Sequence, residues 1–117
     1  MTAAGPGPRR IDLCAADEVP PGTMKLCEVE DETVLVVNLA GQFHATQGVC
    51  SHQYFELDRG VLTGDSILCT LHMSRFSLID GEVIDPPAEL PLAVYAVVVE
   101  GGRVLIDVPA GPLEVNR

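Results

Sequence analysis

The chain predicts an all-β protein built from small antiparallel sheets, and three observations lead there. Short β-branched and apolar runs alternate with Gly- and Pro-bearing breaks along most of its length. Three of those breaks are two-residue hairpin signals: Gly64-Asp65, Asp80-Gly81 and Gly101-Gly102. Glycine supplies the positive φ that tight turns between right-twisted strands prefer. No window shows helical periodicity, and nine prolines are scattered through 117 residues, too many for long helices.

Taken in order, residues 1–8 (MTAAGPGP) read as a flexible tail. Ile11–Cys14 reads as a first strand, broken by Asp17-Glu18-Val19-Pro20-Pro21-Gly22. Thr23–Val29 and Thr33–Leu39 follow as strands, and Gly41-Gln42 turns the chain into Phe43–Gln47. Gly64-Asp65 separates Val61-Leu62 from Ile67-Leu68, and Asp80-Gly81 separates Phe76–Ile79 from Val83-Ile84. Pro86-Pro87 is incompatible with a central strand, so 85–91 is expected as a loop. Gly101-Gly102 joins Val94–Val99 to Val104–Val108, and residues 109–117 read as a second tail. One domain over 9–108 is the expected organisation, a length sufficient to bury a core.

Composition narrows the function classes. Seven basic residues against seventeen acidic ones give a net charge of −10, the wrong sign for nucleic acid or an anionic membrane surface. The uncharged stretch 33–55 is interrupted by Asn38, Gln42, His44, Gln47, His52 and Gln53, so it is no membrane span. The first ten residues lack an apolar signal core, and a cytoplasmic protein with reduced cysteines is expected. No Gly-rich phosphate loop points to a nucleotide site.

The chemistry is concentrated in one window. Cys50-Ser51-His52 is followed, after sixteen residues, by Cys69-Thr70-Leu71-His72. Two thiolates and two imidazoles on two separated loops form a metal-ligand pattern. A single structural zinc held by all four is one reading, which would make the chain an interaction module. A binuclear iron–sulfur cluster is the other, with each loop giving one ligand to each iron; C-x-H is tight for zinc and suits two neighbouring metal atoms.

These two motifs resemble those of Rieske 2Fe–2S proteins. Size, acidity and hairpin pattern are similar to the ferredoxins of bacterial aromatic-ring-hydroxylating dioxygenase systems, over residues 10–108. The likeness includes Gly41-Gln42-Phe43-His44-Ala45-Thr46 before the first loop and Asp80-Gly81, Pro86-Pro87 and 92–99 after the second. The resemblance implies a Rieske-like fold whose cluster-binding subdomain, about 48–88, carries two ligand loops. Cys50 and Cys69 would hold the inner iron as thiolates, and His52 and His72 the outer iron as neutral imidazoles. A proline-bearing loop, here Asp85-Pro86-Pro87, would cover the cluster. The implied activity is that of a one-electron carrier rather than an enzyme. It would link a flavin-containing, NAD(P)H-dependent reductase to a terminal oxygenase, working as a monomer. A Rieske small subunit of another oxidoreductase, such as a nitrite reductase, is the related alternative. The aromatic substrate belongs to the oxygenase.

Departures from the pattern carry further expectations. Phe55 and Leu71 stand where high-potential relatives have a disulfide, and Phe76 stands where they have a Tyr donating to sulfur, although Ser74 is kept. Fewer donors stabilise an added electron less, which sets the midpoint in the lower half of the Rieske range, below about +75 mV. Thr70 replaces a common Pro, while Met73-Ser74 replaces a common Gly and points away from biphenyl-type sequences. Met73 is expected to alter partner fit rather than ligation. Tyr54, Phe55 and Leu71 are expected to pack around the cluster, Cys14 and Cys27 to be inert buried thiols, and His44 to be structural. The acidic run Glu28, Glu30, Asp31, Glu32 reads as a solvated hairpin tip, with steering of a basic partner as the functional option.

Overall fold

A computed structural model describes residues 7–117; the part of the expected N-terminal tail at 1–6 lies outside the described residues. Ten strands form two antiparallel sheets. The larger uses β1 (Arg9–Ala15), β2 (Met24–Val29), β3 (Glu32–Leu39), β4 (Gln42–Gln47), β9 (Val94–Glu100) and β10 (Arg103–Val108), in the order β1-β10-β9-β4-β3-β2. The smaller is a meander of β5 (Val61–Thr63), β6 (Ser66–Cys69), β7 (Ser74–Ser77) and β8 (Val83–Asp85).

The larger sheet folds on itself. β4 and β9 pair at only two positions, Ala45↔Tyr95 and Thr46↔Val94. The two three-stranded halves on either side of this join face each other. Val34 and Ala45 pack with Ile106 and Val108 in one core cluster, and Cys27 and Val36 pack with Cys14 and Val104 in another. Strand β3 is buried on both faces, which explains its unbroken apolar run Val34–Val37. Its alternate residues Leu35 and Val37 look the other way, onto Ile67 and Phe76 of the small sheet and onto Cys50 and Cys69. The apolar floor of the ligand loops is therefore laid by β3 through simple period-2 alternation.

The hairpins form at the anticipated glycines, with shifts at their edges. β7 ends at Ser77, two residues short of the expected strand, because Leu78 turns inward and its N–H donates to the Asp65 carbonyl (2.8 Å). Gly81 has φ +81°, and a Cβ there would strike the Leu92 carbonyl, which lies beside it because the Leu92 N–H donates to the Gly81 carbonyl (2.8 Å). Asp85 closes β8 rather than opening the loop. Two short 3₁₀ turns, Ala16–Glu18 and Leu57–Arg59, were not anticipated.

Residues 109–117 correct an expectation. They lie against the folded chain instead of forming a tail. Leu113 is buried, Tyr95 Oη donates to the Glu114 carbonyl (2.6 Å), and Arg117 pairs with Glu32 (2.7 Å). Among the described residues no helix is long and apolar enough to cross a membrane.

Candidate metal centre

Each ligand loop is closed at its base by its own backbone. The first leaves β4 through Gly48, whose N–H donates to the Thr33 carbonyl (2.9 Å). A side chain at Gly48 would collide with Thr33 and Leu26. The Cys50 N–H then donates to the Phe55 carbonyl (3.0 Å), and Val49 bridges to Glu56, so Cys50 and His52 sit in a short closed loop. The second loop is the β6–β7 hairpin turn. Cys69 and Ser74 are paired across the ladder, leaving Thr70–Met73 as the tip. Met73 completes that tip with φ +67°, the left-handed conformation usually given to Gly.

The two loops divide their four candidate ligands by chemistry. Cys50 and Cys69 are both 2% exposed and lie side by side against the apolar floor. His52 and His72 are exposed, with ring centroids 5.2 Å apart and planes at 75°. Burial pushes the Cys69 thiol up, while the backbone N–H groups of Leu71 and His72 point at its sulfur and favour the thiolate. Those donors suit a sulfur that carries charge when metal-bound.

A third segment lies over the loops. The Ala88 N–H donates to Ser74 Oγ (2.9 Å), and Ser51 Oγ donates to the Leu90 carbonyl (2.5 Å). Ser74 and Ser51 thus tie the proline-bearing segment 86–91 to both loops through Ala88 and Leu90.

Other expectations need correction. Tyr54 is 78% exposed and Leu71 45% exposed, so both face outward rather than packing around the sulfurs. Phe55 does pack on the core. Exposed Tyr54, Leu71, Met73 and Leu90 give the surface near the imidazoles an apolar character that the motif spacing did not reveal. Cys14 and Cys27 are buried, and their thiols contact each other. At the β2–β3 turn two of the four acidic residues already have partners: Glu30 takes a bidentate pair from Arg9 (2.7 and 2.8 Å) and Glu32 takes Arg117. Glu28 and Asp31 have no ion pair among the described residues.

The donor set can be tested against the two metal readings. The candidate ligands fall into a buried sulfur pair and an exposed imidazole pair, the division that two irons of unequal ligation use.

This fold and donor set define an iron–sulfur electron-transfer protein. Residues 9–96 match the Rieske [2Fe-2S] domain, and the chain belongs to that family. It is 38% identical over 99 residues to the ferredoxin component of a biphenyl 2,3-dioxygenase from Rhodococcus jostii, covering 85% of this chain and 92% of that one. It is 41% identical over 105 residues to the ferredoxin component of an alkene monooxygenase system from Xanthobacter autotrophicus, covering 89% and 85%. Among solved structures it resembles one described as a complex of reduced oxygenase and oxidized ferredoxin in carbazole 1,9a-dioxygenase, with a TM-score of 0.78, 31% identity, and coverage of 92% of this chain and 97% of that one. The protein is a Rieske-type ferredoxin: it carries one 2Fe–2S cluster and moves electrons rather than transforming a substrate. The zinc-module option gives way to this family membership. The inferred distance from biphenyl-type sequences does not hold for the chain as a whole.

Proposed function

We propose that this ferredoxin takes single electrons from an NAD(P)H-dependent flavin reductase and delivers them to a terminal oxygenase, with Cys50, Cys69, His52 and His72 as the cluster ligands. The observation that carries the reading is the split between two buried sulfurs and two adjacent exposed imidazoles. When bound, the cluster supplies a reversible one-electron couple. The chain's own residues do the rest. Leu35, Val37 and Phe76 exclude water beneath the sulfurs, and the Leu71 and His72 amides stabilise charge on Cys69. The exposed rings of His52 and His72 give the electron a short exit toward whatever protein docks on that face.

The relatives support the partner class. Ferredoxin components of a dioxygenase and of a monooxygenase system lie at comparable identity, so substrate choice rests with the oxygenase. The protein acts as a monomer in the cytoplasm, where one exposed face meets reductase and oxygenase in turn.

The test has two stages. Anaerobically purified protein is reduced with dithionite and followed by visible and low-temperature EPR spectra, alongside Cys50→Ser, Cys69→Ser, His52→Ala and His72→Ala. Each variant is expected to lose the Rieske signal. Reduction of an oxygenase by NADH and reductase is then timed with and without the ferredoxin. Equal rates in both cases, or a Rieske signal that survives in the cysteine variants, would refute the proposal.

A further inference from the structure

The end of the chain reaches the base of the first ligand loop. Gln47, the last residue of β4 and three before Cys50, is completely buried. Its Nε2 donates to the Val49 carbonyl (2.8 Å) and the Asn116 carbonyl (2.6 Å). Its Oε1 accepts from the Ala93 N–H (2.7 Å) and the Asn116 N–H (2.9 Å). A side-chain amide has two donor hydrogens and two acceptor lone pairs, so every one is used. Asn116 Nδ2 also donates to the Pro91 carbonyl (3.0 Å). The C-terminal segment is itself held by buried Leu113 and by the Tyr95 hydroxyl on Glu114.

One buried amide thus joins three separate stretches: the loop that carries Cys50 and His52, the segment 86–93 that lies across both loops, and the chain terminus. We infer that Gln47 and Asn116 are positioning residues for the cluster, and that residues 114–116 form a strap setting how tightly the first loop and the proline-bearing segment close over it. Without the strap, Gln47 loses one donor partner and one acceptor partner, and Pro91 loses its side-chain tie. Water then takes those places, next to the segment that Ser51 and Ser74 pin. No hydrogen-bond donor to sulfur is removed, so the dominant effect is solvent access. Added solvent favours the more negative reduced state and moves the midpoint upward.

The inference rests on the ligand assignment proposed above, and the two are separable. Cys50→Ser in the full chain loses the cluster whether or not the strap matters. The strap is tested in holoprotein ending at residue 113, with Arg117→Ala and Gln47→Glu beside it. The readouts are decay of cluster absorbance under a chelator and the midpoint potential, with far-UV circular dichroism as the measure of fold. The truncated protein is expected to lose its cluster about fivefold faster or more, with an upward midpoint and an unchanged dichroism spectrum. Gln47→Glu loses both N–H donors and serves as the second variant should the truncated chain not fold; it is expected to lose its cluster faster as well, and cluster lifetime alone is read for it, because a carboxylate beside the cluster itself lowers the midpoint. Arg117→Ala removes an exposed ion pair and should leave both readouts alone. Truncated protein with the lifetime and midpoint of the full chain overturns the inference. So does an Arg117→Ala variant that reproduces the whole effect, or a variant that melts earlier with its cluster readouts unmoved.

Discussion

Met73→Gly separates stability from partner recognition because the two effects have opposite signs. Met73 occupies left-handed backbone at φ +67°, where an L side chain pays about 1–2 kcal/mol in steric strain. Glycine removes that strain but adds about 0.5–1 kcal/mol of unfolded-chain entropy. The side chain is 58% exposed, so little packing is lost with it. The net is a gain of roughly 0.5–1 kcal/mol, or about 2–5 °C in Tm for a domain of this size. Docking should move the other way. Fully burying a Met side chain contributes about 1.5–3 kcal/mol, so covering the 58% now exposed contributes about 1–1.7 kcal/mol, a factor of about 5–20 in Kd. The assay pairs thermal unfolding of the holoprotein with titration against the terminal oxygenase, and the EPR spectrum checks that ligation is untouched. A variant less stable than the parent, or one binding the oxygenase equally well, would refute the reasoning; so would loss of the Rieske spectrum.

Two further outcomes follow from the same structure. Phe76 is fully buried without a hydroxyl, and no disulfide braces Phe55 and Leu71, so potentiometric titration should place the midpoint below about +75 mV; a value near the top of the Rieske range would contradict this. Burial pushes the Cys27 thiol from 9.0 up to about 11, so the fold holds it neutral: its contribution to stability is complete below pH 9.0 and is lost as pH rises through about 11. Native protein at pH 8 should therefore leave Cys14 and Cys27 unreacted with a thiol reagent and expose them only on denaturation; rapid native labelling would show that the pair is accessible.

The strands and the four candidate ligands were legible for a local reason. The unbroken apolar run Val34–Val37, glycines at positive φ and the C-x-H and C-x-x-H spacings all act within a few residues. What was missed depends on distant partners or on side-chain direction. Leu78 looks like a strand residue by apolarity, yet it is buried from a turn by a hydrogen bond to Asp65. Residues 109–117 have the Pro- and Gly-bearing composition of a tail, and nothing nearby reports that Gln47, 69 residues away, receives Asn116. Tyr54 and Leu71 are apolar residues beside ligands, which suggests inward packing. The tight loop closures place Cys50 and Cys69 inward instead, and Tyr54 and Leu71 remain at the surface. The resemblance marks Met73-Ser74 as replacing a common glycine, but a methionine does not itself announce the left-handed backbone that position 73 adopts.

These differences sort the determinants of the site into two kinds. Within a loop, the relation of Cys to His is fixed locally. Cys50 N–H to Phe55 O closes one loop, and the Cys69↔Ser74 pair closes the other. Between loops, the separation of the two Cys/His pairs depends on long-range ties: Ser51 to Leu90, Ala88 to Ser74, and Gln47 to Ala93 and Asn116. With the proposed ligands a binuclear cluster needs both, since each loop would present one sulfur and one imidazole and the loops would have to stand one cluster apart. On the proposed ligand set the short motifs specify the first requirement, and on the inference drawn above the proline-bearing segment with residues 114–116 specifies the second. Damage to a loop should abolish cluster binding outright. Damage to a tie should leave the ligands intact and change how long the cluster stays and at what potential it works.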